Sequence, residues 1–150
     1  MTEEISLAVA RRWFIDLWSE GWLDVADEII APDYAPDWVQ IPKKGPEQVK
    51  HEVRYFRGVF PDLQYTIVDS AVFPNKVWIS YRGVGTQKGT AWGFAPTNKQ
   101  VEFEGVAIFT IDQNNQISDR WGAFCIYDIF ADLGLTPPFW ELSQLIGSKP

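Results

Sequence analysis

Few side chains in this 150-residue sequence can move a proton or attack carbon, and they are scattered. There is one histidine, His51, and one cysteine, Cys125. Neither has a His or Cys at ligand spacing, so no metal site is expected. Cys125 lies between Phe124 and Ile126. A free thiol titrates near ~8.5 and needs a cationic neighbour to become a nucleophile. No His or Lys is close in sequence, so Cys125 reads as a nucleophile candidate or as a small apolar filler. Asp37 follows Ala35-Pro36, which is turn chemistry. An exposed carboxyl titrating near ~3.9 is a weak base, and only burial among aromatics raises it to a useful range. Asp37 with Asp128 is the pair that a water-activating hydrolase would need in one pocket. Trp78, Trp92 and Trp121 each carry an indole N–H on an apolar body, which suits a flat, oxygenated ligand such as a polycyclic ketone. Tyr55, Tyr81 and Gln87 are the candidates to hydrogen-bond its oxygens. All of these also fit a core or rim role.

The elements that must position these residues are legible. Ile5, Val9, Trp13 and Leu17 recur at helical spacing over residues 4–20, with Thr2, Glu3 and Glu4 as cap and first-turn acids. Residues 22–30 read as a short second helix ended by Pro32. A short extended piece is expected around residues 38–41. Gly45-Pro46-Glu47 opens a third helix whose apolar stripe is Val49, Val53, Phe56 and Phe60. His51 falls on another face, and Arg54 and Arg57 read as solvated. Four strands follow, over 63–73, 76–86, 101–111 and 116–127. Pro74-Asn75 and an Asn-containing turn at 112–116 connect them. Glycines at 83, 85, 89 and 93 allow the sheet to bend. A short helix with Phe139, Leu142, Leu145 and Ile146 on one side closes the chain, either over a cavity mouth or against a second subunit.

Several separated motifs share the order and spacing of one family. Phe60-Pro61-Asp62-Leu63, Gly85-Thr86, Pro96-Thr97-Asn98-Lys99, Trp121 and Leu133-Gly134 resemble those of SnoaL-like polyketide cyclases, within the NTF2-like superfamily that also holds ketosteroid isomerases and limonene epoxide hydrolases. The resemblance spans about residues 5–135. It implies an α+β fold: N-terminal helices packed on a strongly curved, mostly antiparallel sheet, forming an NTF2-like cone. Residues 1–135 would form the domain and 136–150 a C-terminal extension of it. The resemblance makes Asp37 the candidate general base, since ketosteroid isomerases place an Asp in this region. It also implies that Trp121 faces the cavity, with Ala123, Cys125 and Tyr127 on the same side and Gly122, Phe124 and Ile126 on the other. Cys125 stands where these cyclases commonly carry Asp, and Gln87 where they often carry His. Asp128 is the substitute acid if the strand ends or bulges near Cys125. Ala107 stands near the acidic oxyanion donor of ketosteroid isomerases and cannot serve as one.

Composition narrows the partners. Net charge is −7, from 20 acidic and 13 basic residues, which disfavours nucleic acid and anionic membrane as partners. No run is long and apolar enough to span a bilayer, the opening residues are acidic, and a lone cysteine fits a reducing compartment, so a cytoplasmic location is expected. Eight Trp, ten Phe and five Tyr exceed what a small core needs and fit a pocket or an interface. The expectation is a homodimer that binds an apolar oxygenated, polyketide- or terpenoid-like molecule and catalyses cyclisation or isomerisation without a cofactor, in secondary metabolism. The alternatives are a non-catalytic binding protein on the same fold and an epoxide hydrolase- or hydratase-like enzyme. The replacement of the family's usual Asp by Cys125 leaves open whether the chain is an enzyme at all.

Overall fold

The first helix begins where the sequence says it should, at a threonine cap. In the computed structural model, which describes residues 2–37 and 40–147, Thr2 Oγ1 accepts the Ile5 N–H at 3.3 Å. Helix α1 spans Glu3–Arg11. From Arg12 to Ser19 the same rod continues as a π-helix, where the sequence predicts an unbroken α-helix. The wider turn is closed by Ser19, whose hydroxyl donates to the Phe14 carbonyl at 2.8 Å and accepts the Tyr65 N–H at 2.9 Å. That one side chain ties the segment to the sheet and keeps Trp13, Phe14, Leu17 and Trp18 buried together. Such turns are rare and often mark functional sites.

Helix α2 covers Val25–Ile29 and α3 Pro46–Val59. Gly45 has φ +67°, a conformation glycine adopts without a Cβ clash, and Pro46 follows at the first helical position. Val49 and Val53 are buried as the stripe predicts, and His51 is exposed. Arg57 is not a solvated surface residue. Its guanidinium donates to the carbonyls of Trp18, Ser19, Leu63 and Pro61 at 2.8–3.2 Å, fastening α3 to the end of the π-helix and the start of the sheet. Charged hydrogen bonds of this kind contribute about 1.5–3 kcal/mol. Arg57→Met is therefore expected to lower unfolding free energy by about 2–3 kcal/mol, read from urea titration; a loss below about 0.5 kcal/mol would show that water replaces these bonds.

Four strands, β1 (Gln64–Phe73), β2 (Lys76–Thr86), β3 (Gln100–Ile111) and β4 (Ile117–Phe124), pair in sequence order, all antiparallel. Register shifts at Ile67/Asp69 and Thr110/Ile111 add bulges that bend the sheet. Alternate residues of β2 and β3 turn inward: Val77, Ile79 and Tyr81, then Val101, Phe103, Ala107, Phe109 and Ile111. The helices cover this concave face, giving an α+β fold.

The last predicted strand is shorter than expected. It stops at Phe124, opposite Gly105, and helix α4 (Ile126–Asp132) begins at once. Ile126, Ile129, Phe130 and Leu133 repeat at helical spacing, and Ile129 and Leu133 are buried. The extended piece expected around residues 38–41 includes Trp38 and Val39, which lie outside the described residues. Phe139–Ile146 forms a 3-10 segment with no buried residue. No helix among the described residues is long and apolar enough to cross a membrane.

Candidate active site

Between the π-helix, α3 and the concave sheet lies a cavity of about 150 Å³. Trp13, Phe14 and Trp18 line it from the π-helix and Phe56 from α3. Tyr65, Tyr81, Phe103, Ala107 and Phe124 line it from the sheet. The rings pack closely: Phe14 lies tilted 4.9 Å from Tyr81, and Tyr65 meets Tyr81 edge to face at 5.3 Å. Gly105 leaves the space that the Tyr81 hydroxyl fills, since a Cβ there would come within 2.5 Å of it.

One ion pair interrupts this apolar wall. Arg120 Nη2, from β4, donates to both carboxylate oxygens of Glu52, from α3, at 3.0 Å each. Their side chains are only 11% and 14% exposed. The Arg120 guanidinium also stacks 4.7 Å above the Trp13 ring. Burial alone would lower the Arg120 pKa, but the Glu52 charge and then the Tyr34 hydroxyl beside it raise it on balance. Burial also acts on the phenols. It pushes Tyr81 up to about 12, Tyr34 likewise, and Tyr65 well above its ordinary value. The phenols in the wall therefore remain O–H donors at neutral pH. Trp18 Nε1 is buried within the same wall without a hydrogen-bond partner. A carboxylate, a guanidinium and protonated phenols around an apolar space are the parts needed to take a proton from carbon and to stabilise the oxygen that receives the charge.

Comparison with known proteins agrees with this architecture. The profile of the SnoaL-like polyketide cyclases matches residues 8–133. The chain belongs to the SnoaL-like polyketide cyclase family. Among solved structures it is similar to TsrD from Streptomyces laurentii, with TM-score 0.83 and 18% identity over 90% of this chain and 98% of that one. It is also similar to a candidate SnoaL-like polyketide cyclase from a Jannaschia species, with TM-score 0.79 and 22% identity over 91% and 95%. A candidate polyketide cyclase from Acidithiobacillus ferrooxidans gives TM-score 0.76 and 22% identity over 89% and 98%. At these identities the likeness speaks for the fold. No curated protein sequence gives a significant match.

Within this SnoaL-like frame the sequence-predicted residues separate. Tyr81 lines the cavity. Trp121 does not: it pairs with Ile108 on the convex face and is 53% exposed, while Gly122 and Phe124 turn inward. The parity expected for β4 is thus inverted, because its register sets Gly122, not Trp121, opposite the inward Ala107. Trp78 shares the outer face with Trp121. Asp37 is exposed and borders an open hollow beside Ser118 and Asp119. Cys125 follows the end of β4 and is exposed. Asp128 is exposed on the first turn of α4, its N–H donating to the Cys125 carbonyl at 3.2 Å. Asp37 and Asp128 border different hollows. The Tyr55 hydroxyl accepts the Trp92 N–H at 3.0 Å. Gln87 is fully buried, and its amide holds its own loop through Gly89, Ala95 and Thr97 at 2.8–3.2 Å.

Glu52 and Arg120 were not singled out from sequence. One signal was present for Glu52, which lies three residues after Val49 and four before Phe56, at the edge of the apolar stripe of α3. Arg120 was hidden by the inverted parity of β4.

Proposed function

We propose that this SnoaL-like protein binds an apolar, oxygenated, polyketide- or terpenoid-like molecule in the concave cavity and catalyses a cyclisation or isomerisation by acid–base chemistry. The buried Glu52–Arg120 pair in an aromatic wall is the observation that carries this reading. The Glu52 carboxylate takes a proton from carbon next to a carbonyl. The C–H electron pair moves through that carbon to the carbonyl oxygen, giving an enolate that accepts hydrogen bonds from the wall phenols and Arg120. For isomerisation, Glu52 returns the proton at another carbon. For cyclisation, the enolate carbon bonds to a second carbonyl carbon, and the resulting alkoxide takes the proton from Glu52.

Incubation with simple ring ketones in deuterium oxide tests the proton transfer. The expected result is protein-dependent deuterium entry at the carbon next to the carbonyl. Failure across one-, two- and three-ring ketones would remove the reading. Labelled oxygen entering the product from solvent would instead favour a hydrolase or hydratase.

A binding-only role is the second reading, favoured by the exposure of Asp37, Cys125 and Asp128. It requires that a bound ketone return without deuterium. We also propose a homodimer through the convex sheet face, where Trp78, Val106 and Trp121 are exposed side by side. Light scattering that gives the mass of a single chain at tens of micromolar would sink this.

A further inference from the structure

The size of the cavity constrains what enters it more tightly than its chemistry does. Apolar protein cavities of about 150 Å³ hold benzene, and the space here is about 150 Å³. A three-ring quinone has more than twice the non-hydrogen atoms of benzene, and a close-packed interior leaves no slack for them in a space of that size. Aromatic packing closes one end. Phe124 meets Phe103 at 5.7 Å and Phe56 at 6.2 Å between centroids, and behind them Trp92 packs on Phe56 and Phe130 at 6.0 and 5.3 Å. Charge gives a second limit. Arg120 already faces a full counter-charge in Glu52, so an anionic ligand would have to displace a buried carboxylate or sit beside it, and either is costly. A neutral oxygen meets no such penalty and finds the phenols of Tyr81 and Tyr65 in the same wall.

We infer that the interior site takes a neutral single-ring ketone or phenol, or one terminal ring of that kind, and excludes fused polycycles and carboxylates. This departs from the polycyclic ketone that the tryptophan content suggests. It rests on the acid–base reading of the same cavity and narrows its substrate class.

The test is isothermal titration of the full-length chain with phenol, cyclohexenone, benzoate, naphthol and a hydroxyanthraquinone. Phenol and cyclohexenone are expected to bind with one site per chain. Benzoate and the hydroxyanthraquinone are expected to bind about tenfold or more weakly. Ala107→Leu fills the space opposite Gly122 and is expected to weaken phenol about tenfold or more. Phe124→Ala removes the closing ring and is expected to gain naphthol binding, so the site stays testable if the Leu variant does not fold. Phenol binding that is indifferent to both changes, or a hydroxyanthraquinone that binds the unaltered chain as tightly as phenol and competes with it, overturns the inference. Deuterium entering a three-ring ketone but not cyclohexenone would sink the ring limit and leave the acid–base reading standing. Single-ring binding, weakened by Ala107→Leu and without exchange into any ketone, would do the reverse.

Discussion

Substituting Glu52 by Gln is expected to lower the rate of deuterium exchange into a bound ketone by about 100- to 10,000-fold, the usual contribution of a positioned acid or base. Gln keeps the length and shape of the side chain, and its amide oxygen can still accept from Arg120. The cavity therefore keeps its volume, and ketone affinity is expected to stay within about threefold. That separation matters, because a purely structural role for Glu52 would lower binding and rate together. Asp37→Asn is the control: Asp37 is exposed at an open hollow, and its variant is expected to exchange within about twofold of the unaltered protein. Full exchange in Glu52→Gln, with loss in Asp37→Asn, would return the base to the residue that the resemblance first pointed to.

The fold was readable because the motifs that carry it touch one another. Asp62 accepts both the N–H and the hydroxyl of Thr86 at 2.7 Å, joining the Phe60–Leu63 motif to Gly85-Thr86. Gly85 leaves room for the Phe60 side chain, whose Cβ a Cβ at position 85 would approach to 2.9 Å. The Thr97 of the Pro96–Lys99 motif donates to Gln87, and Lys99 Nζ lies against Gly134. These residues hold loops to strand ends. They specify the scaffold, and nothing in their spacing refers to the cavity.

The candidate site was harder to read for a different reason. Its polar residues come from elements far apart in sequence, Glu52 on α3 and Arg120 on β4, 68 residues away. Each looks like a surface charge until the two elements are packed together. Tyr81 was legible because it alternates with Val77 and Ile79 on one inward row. On β4 alternation fixes which residues share a face but not which face is inside, and the resemblance, which supplied that choice, points to the wrong row. Trp121 is the larger and more apolar residue, yet the sheet turns it outward and buries its charged neighbour. The first residues of α4, Ile126 and Tyr127, read as the end of the fourth strand because both are β-formers, and the spacing of Ile126, Ile129 and Leu133 outweighs that preference.

Arg120→Met is expected to cost about 3–5 kcal/mol of unfolding free energy, because it leaves the Glu52 carboxylate buried without its partner. The lost guanidinium contact with Trp13, 4.7 Å from the ring centroid, would add about 0.5–2 kcal/mol to this. Replacing both members, Glu52→Met with Arg120→Met, removes the uncompensated charge along with the pair. The double variant is expected to recover most of the loss, since buried ion pairs are often no more stabilising than apolar side chains of similar volume. Denaturant titration of both single variants and the double variant forms a cycle whose coupling energy isolates the pair. A loss under about 1 kcal/mol in Arg120→Met would mean that water reaches the carboxylate as it does at exposed pairs. That result would also weaken the chemistry proposed for the cavity. A guanidinium and a carboxylate act strongly on a developing enolate only where water is excluded, so one desolvated pair has to account both for the stability lost with Arg120 and for the exchange lost with Glu52.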